Sequence, residues 1–227
     1  MLTGYDVVLR ECECATQVTI NRGELVAENP TRGVQNLEVY KVDPKFRGRS
    51  PYFVQLWWIV QATLFRGSPQ VCYGFRRWLL KMFGAQIGKG AIIRPSVTVT
   101  YPWRVKIGAY SQIGDDVVIY SYGDITIGNS VVVSQKSYLC AGTHNFRSEA
   151  FELQSFPIVI EDQVWLAADV FVAPGVTVGR GTVVGARSSV FSNLPEFVIC
   201  TGSPAKPVGA RPRTAQESPV SSPLEAG

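Results

Sequence analysis

Ile107-Gly108-Ala109-Tyr110-Ser111-Gln112-Ile113-Gly114-Asp115-Asp116-Val117-Val118-Ile119 carries three isoleucines six residues apart. The same beat runs in both directions from there. Upstream it passes through Ile87, Ile93, Val99 and Val105; the quoted stretch supplies Ile107, Ile113 and Ile119, and Ile125 follows it. Downstream it continues through Ile127, Val133 and Leu139, then Ile160, Leu166, Val172, Val178, Val184 and Val190. All seventeen positions are Ile, Val or Leu. A short fixed period marks a repeat architecture, and a hexapeptide period marks a parallel β-helix. Each hexamer reads as one short strand and one turn. Three hexamers make one coil of a three-sided prism, with the aliphatics stacked in columns that no single repeat could bury alone.

The residue after each aliphatic is often small: Gly88, Gly108, Gly114, Gly128, Gly179, Gly185, Ala167, Ala173. Glycine there is expected to supply the backbone freedom for a corner. A second inward position falls four residues after the aliphatic, at Ala91, Val97, Ser111, Val117, Val131, Ser137, Val164, Val170, Val176, Thr182 and Ser188; Trp103 and Gly123 depart from it. The beat slips by two residues after Val105 and after Ile125, which reads as a bulged corner. It breaks from Asn145 to about Val159, which reads as a loop leaving the prism, and long loops on rigid scaffolds commonly carry function.

The 227 residues, 46% hydrophobic, are ample for a buried core. A net charge of +4 with scattered basic residues gives no stripe for nucleic acid. Five cysteines, Cys12, Cys14, Cys72, Cys140 and Cys200, lack disulfide-framework spacing and read as reduced thiols of a cytoplasmic protein. Arg10, Glu11 and Glu13 interrupt any signal-peptide core.

Residues 1–50 form an extension without a beat, with Val7–Leu9 and Gln17–Ile20 as candidate strands. Ser50-Pro51 predicts a helix start, running to Phe65; Ser68-Pro69 predicts a second, running to about Met82 and ending at Gly84. This pair, residues 51–84, is placed as a cap on the open end of the prism. The first helix is too short to span a bilayer. An interfacial contact through residues 52–65, helped by Arg66, Arg76, Arg77 and Lys81, is the functional alternative to simple packing. The β-helix occupies 85–206 with its loop at 145–158, and the Pro- and Ser-rich tail 207–227 reads as disordered.

His144 is the chain's one histidine and stands where the beat breaks. A neutral imidazole accepts a proton from a hydroxyl near pH 7, so it suits general-base work, although a lone histidine is more often structural. Glu149 and Glu152 lie in the same loop and could orient the imidazole, hold a substrate hydroxyl, or simply face solvent. No G-x-S-x-G elbow, Walker loop or dinucleotide glycine loop is present, and one histidine without clustered cysteines argues against a catalytic metal.

His144 is followed by Ser155-Phe156-Pro157-Ile158, Val164-Trp165-Leu166-Ala167-Ala168-Asp169, Ala173-Pro174-Gly175-Val176 and Thr201-Gly202-Ser203-Pro204-Ala205-Lys206. This series resembles the left-handed β-helix acyltransferases that use acetyl-CoA. Gln55–Gln61 with its paired tryptophans, Ile93–Val97, Tyr101-Pro102-Trp103, Gly114–Val118 and Ser134–Leu139 resemble the colanic acid biosynthesis acetyltransferases among them. The resemblance covers about residues 52–208. It implies a mainly-β left-handed parallel β-helix and a homotrimer with sites between neighbouring prisms. It implies O-acetylation of a sugar in exopolysaccharide biosynthesis. Were the acceptor a lipid-linked oligosaccharide, shallow attachment of this cytoplasmic chain at the inner face of the membrane would be useful. It also implies His144 as general base, Glu152 in substrate binding or imidazole orientation, and Trp165, Ala168, Ala186 and Lys206 along acetyl-CoA. Ala167 and Asp169 stand where many relatives have Gly and Asn, and Asn145 where the subgroup often has Asp; the last departure bears on the substrate. An acceptor of another kind (an antibiotic hydroxyl or a nucleotide-sugar amine) and a non-catalytic scaffold are the competing readings.

Overall fold

The computed structural model describes residues 20–21, 24–25, 35–42 and 44–212. The beat becomes three stacked columns of side chains, one per face of a left-handed parallel β-helix. On the first face Ile87, Ile107, Ile127, Ile160 and Val178 lie in register. On the second, Ile93, Ile113, Val133, Leu166, Val184 and Cys200 do. Val99, Ile119, Leu139, Val172 and Val190 form the third. All seventeen beat residues are buried, as are all eleven of the second inward set. The polar members of that set bond the backbone of the next coil: Ser111 Oγ donates to Gly128 O at 2.6 Å and Ser137 Oγ to Ala167 O at 3.0 Å. No buried hydroxyl in the columns is thereby left unpaired.

The small residues after each aliphatic serve a different end from the one expected. The left-handed backbone falls two positions later, at Tyr110, Asp116, Ser130, Lys136, Gln163, Asp169 and Arg187. The small residues are needed because the coils touch there. A Cβ on Gly114 would lie 2.8 Å from Gln135 N, and one on Gly179 2.7 Å from Glu196 N. The requirement is close approach, not positive φ.

Both slips and the break occupy one corner, between the third face and the first. In the first coil it holds the 3-10 turn Pro102–Arg104. In the second it holds Ser121-Tyr122-Gly123, and in the third an antiparallel hairpin, Gly142–His144 against Leu153–Ser155. The widened corners stack. Ser121 Oγ accepts from Tyr101 N at 2.8 Å, and Gly123 is close to Phe156 O and Ala141 O, leaving no room for a side chain. Trp103 and Gly123 departed from the inward pattern because they line this corner. After each slip the extra inward residue shares a strand with its partner two positions on: Val105 with Ile107, Ile125 with Ile127.

The helical pair caps the open coil. Helix α1 (Pro51–Val60) continues through a π turn, Gln61–Phe65, and α2 spans Tyr73–Met82. Ser50 Oγ accepts from Phe53 N, as its N-cap position predicts. Ser68 does not start the second helix; its hydroxyl donates to Phe65 O and accepts from Arg76 Nη1, so the helix begins at Tyr73. Among the described residues the first coil has no further coil below it, and its open backbone is paired by the cap instead. Trp57 Nε1 donates to Val99 O (2.8 Å), Gln61 Oε1 accepts from Val99 N (2.7 Å), Arg76 Nε donates to Ile93 O (2.7 Å) and Arg77 Nη1 to Ala91 O (2.8 Å). Trp57 is thus a buried cap residue, whereas Trp58 is exposed.

At the other end Lys206–Ala210 forms a strand antiparallel to Val198–Thr201. Arg211 Nη1 then donates to Gln163 O and Gly181 O. The tail is therefore ordered through Pro212, six residues beyond the boundary expected from composition, because an edge strand offered it backbone partners. Of the candidate N-terminal strands, Val7–Leu9 lies outside the described residues. Ile20 belongs to a two-residue strand, Ile20–Asn21, paired with Glu24–Leu25.

Candidate active site

His144 ends the first strand of the corner hairpin. Its Nδ1 lies 2.9 Å from Phe151 O. A carbonyl only accepts, so Nδ1 carries the proton and Nε2 is left with a free lone pair. The ring also stacks on Phe151, 4.4 Å between centroids and 10° between planes, and the Tyr40 ring lies 5.9 Å away, tilted by 48°. Phe151 itself has φ +49°, a conformation that non-glycine residues adopt reluctantly, and it aims the carbonyl at the imidazole.

Glu152 follows Phe151, and its side chain turns to Ser148, whose Oγ donates to Oε1 at 2.8 Å. That hydrogen bond holds the exposed carboxyl below its ordinary range. The group that orients the imidazole is the Phe151 carbonyl, and Glu152 braces the loop one residue away. Glu149 contributes its backbone: Glu149 O accepts from Asn36 N at 2.8 Å.

The segment before the helices runs along the same corner, which the sequence did not disclose. Arg47 O accepts from Trp103 Nε1 (2.9 Å), Phe46 O accepts from Arg104 Nη2 (2.8 Å), and Phe46 packs on Tyr122. Tyr40 then reaches His144. The signal available was only the aromatic content of Tyr40 and Phe46 in a stretch without periodicity.

The residues expected along the cofactor lie on a different edge. Trp165 is on the second face, 46% exposed, with Nε1 donating to Ser134 Oγ at 3.0 Å. Ala168 turns the corner from the second face to the third. Ala186 sits directly above it one coil on, with Arg187 N donating to Ala168 O at 2.9 Å. Lys206 is exposed at the start of the last strand. These four line one edge of the prism, and His144 and Glu152 stand at the other edge of the third face. Between the two edges runs a row of aromatics, Tyr120, Tyr138, Phe171 and Phe191, in successive contact. A hollow of about 440 Å³ on this face is lined by Lys136, Tyr138, Cys140, Asp169, Val170 and Phe171. Burial raises the Tyr138 hydroxyl and the Cys140 thiol above their ordinary values, so both are neutral near pH 7. Among the described residues no three His, Cys, Asp or Glu side chains cluster as metal ligands.

A single chain thus holds an imidazole poised to accept a proton and, a face away, a smooth edge of small residues with an exposed tryptophan and a lysine. The chain is 55% identical over 181 residues to the colanic acid biosynthesis acetyltransferase WcaF of Escherichia coli K12, covering 80% of this chain and all of that one. The chain belongs to the colanic acid biosynthesis acetyltransferase family. No family model matches it. Among solved structures, a galactoside acetyltransferase in complex with coenzyme A superposes with TM-score 0.65 at 27% identity, over 70% of this chain and 81% of that one. A hexapeptide-repeat acetyltransferase of Vibrio cholerae complexed with acetyl coenzyme A gives 0.64 at 25% identity, over 71% and 88%. Membership in this acetyltransferase family agrees with the fold, and with the resemblance of the motifs around His144, Trp165 and Lys206.

Proposed function

We propose that this acetyltransferase moves the acetyl group of acetyl-CoA onto a sugar hydroxyl during surface-polysaccharide assembly, with His144 as general base. The observation that carries the reading is the Nδ1 contact with Phe151 O, which commits the free lone pair to Nε2. Nε2 takes the proton of the acceptor hydroxyl as its oxygen attacks the thioester carbonyl. The tetrahedral intermediate collapses with loss of the C–S bond, and the imidazolium returns its proton to the departing thiolate. Glu152, exposed in the same loop, accepts a hydrogen bond from another hydroxyl of the sugar.

Acetyl-CoA lies along the edge of Trp165, Ala168 and Ala186, where short side chains let the pantetheine thread approach the backbone, and Lys206 meets a phosphate. His144 and this edge flank opposite sides of one face. A homotrimer of side-by-side prisms brings the edge of one chain to the His144 corner of its neighbour, and three sites result. The solved relatives bound to coenzyme A and acetyl-CoA support the donor. The relative named for colanic acid biosynthesis supports the acceptor class.

The test is turnover of acetyl-CoA by wild type and His144→Ala with a panel of sugar acceptors, alongside CoA binding by calorimetry. Loss of at least a hundredfold in turnover with CoA binding intact is expected. Retained turnover in His144→Ala would remove His144 as base, and absence of CoA binding in the wild type would remove the donor.

A further inference from the structure

The outer surface of the capping helices is apolar, and none of the described residues covers it. In α1 the buried residues Val54 and Trp57 define one side; the opposite side presents Tyr52, Leu56 and Ile59, with Trp58 flanking. In α2 Arg76, Leu79 and Leu80 are buried and Phe75, Trp78 and Met82 face out. Leu64 and Val71, between the helices, are exposed too. These nine account for nine of the fifteen large hydrophobics exposed among the described residues, within a span of 31 residues. Exposure reaches 87% at Tyr52, 60% at Ile59 and 63% at Met82. A helix apolar all round is ordinarily buried on every side, and a contiguous apolar patch marks a contact surface.

Charge says what kind of contact. Residues 44–114 contain eleven of the chain's 22 Lys and Arg and none of its 18 Asp and Glu. The scattered charge of the whole chain is therefore concentrated at the capped end. Arg76 and Arg77 are engaged with backbone carbonyls of the first coil and of the cap, and the cation duty expected of them falls to others. Arg49, Arg66, Lys81 and Lys89 are exposed. Arg49 and Arg66 flank α1, and Lys81 sits between Leu80 and Met82 at the end of α2.

We infer that the α1–α2 face docks on an anionic phospholipid surface, with Leu56, Ile59, Trp78 and Met82 in the headgroup–acyl boundary and Arg49, Arg66 and Lys81 on lipid phosphates. Exposed aromatics beside aliphatics, ringed by cations, are the composition of an interfacial helix. A second copy is disfavoured, since a two-fold contact through this face would set one acid-free surface against another. The docking is interfacial. Among the described residues no helix is long and apolar enough to cross a membrane. Docking would hold the catalyst beside a lipid-linked acceptor, yet it stands on the helix faces and the charge, independent of the acetyl-transfer reading.

The experiment is flotation of the full-length protein with vesicles of equal phosphatidylglycerol and phosphatidylcholine, and with phosphatidylcholine alone. Wild type is expected to float with the anionic vesicles and at least tenfold less with the neutral ones. Ile59→Glu with Trp78→Glu, both on the exposed side, should lose at least tenfold in partition while melting and CoA binding stay as in wild type. Arg66→Gln with Lys81→Gln should lose about fivefold for each cation removed. Failure of the wild type to float would overturn the inference, as would equal partition of the double-Glu variant. A change in oligomer mass in the double-Glu variant would also overturn it, because the face would then be a protein interface. CoA binding reads the acetyl-transfer reading separately.

Discussion

Phe151 is the residue through which the site's geometry can be tested without touching the base. Its carbonyl fixes the imidazole tautomer at 2.9 Å, its ring stacks on the imidazole at 4.4 Å, and its φ of +49° directs both. Phe151→Ala keeps the carbonyl and the unfavourable φ but removes the ring. An aromatic stack contributes about 0.5–1.5 kcal/mol beyond its area, which corresponds to roughly a two- to tenfold fall in kcat if the imidazole loses that fraction of its preorganisation. KM for acetyl-CoA should not move, since Phe151 is not among the residues proposed to hold it, Trp165, Ala168, Ala186 and Lys206. Phe151→Gly removes the same ring and relaxes the backbone, so it should match Phe151→Ala in kcat and exceed it in stability by about 1 kcal/mol. The assay is steady-state release of CoA thiol over pH 5 to 9 for the three proteins, with urea unfolding alongside. Unchanged kcat in both variants would refute the stacking argument. A loss as deep as that of His144→Ala would show that the ring, and not the carbonyl, positions the base.

Three further outcomes follow from the same geometry. Ser148→Ala should reproduce part of the kcat loss of Glu152→Ala, since each removes the 2.8 Å brace; activity at the wild-type level in Ser148→Ala would leave Glu152 acting on substrate alone. Leu139→Ala, in the third column and fully buried, should cost about 2–5 kcal/mol in urea unfolding, whereas Trp165→Ala, exposed, should cost little and weaken CoA binding instead. Burial, with Tyr122 adding to it, pushes the Tyr101 hydroxyl up to about 12. The folded state thus holds that proton more tightly than the unfolded chain, and stability is full below about pH 10 and falls as pH rises toward 12. Phenolate absorbance with circular dichroism should show part of the tyrosine titration coinciding with unfolding; complete titration near pH 10 in folded protein would contradict this.

The prism was legible because a hexapeptide beat is a statement about backbone geometry repeated seventeen times, and each repetition constrains the next. The role of the small residues was misread because sequence cannot distinguish glycine kept for φ from glycine kept for closeness; only the neighbouring coil does. Position alone placed His144 at a corner, and the break in the beat placed the loop. The atom that orients the imidazole was hidden, since a backbone carbonyl carries no residue identity. Tyr40, Phe46 and Arg47 were equally hidden: they meet the corner through contacts more than fifty residues apart in sequence, without period. The start of α2 was missed because Ser68 bonds Arg76 in preference to the backbone it resembles a cap for.

The central claim is that acetyl-CoA and His144 meet across two chains, each supplying one edge. The direct measurement is subunit mixing. His144→Ala and a variant crippled at the cofactor edge, Trp165→Ala with Ala186→Trp, are each purified inactive, then unfolded, mixed and refolded together. Because some mixed sites receive an intact edge from one chain and an intact His144 from the other, acetyl transfer should return to about a quarter of the wild-type rate under random assembly. No return of activity from mixed assemblies that bind CoA would contradict a site shared between chains.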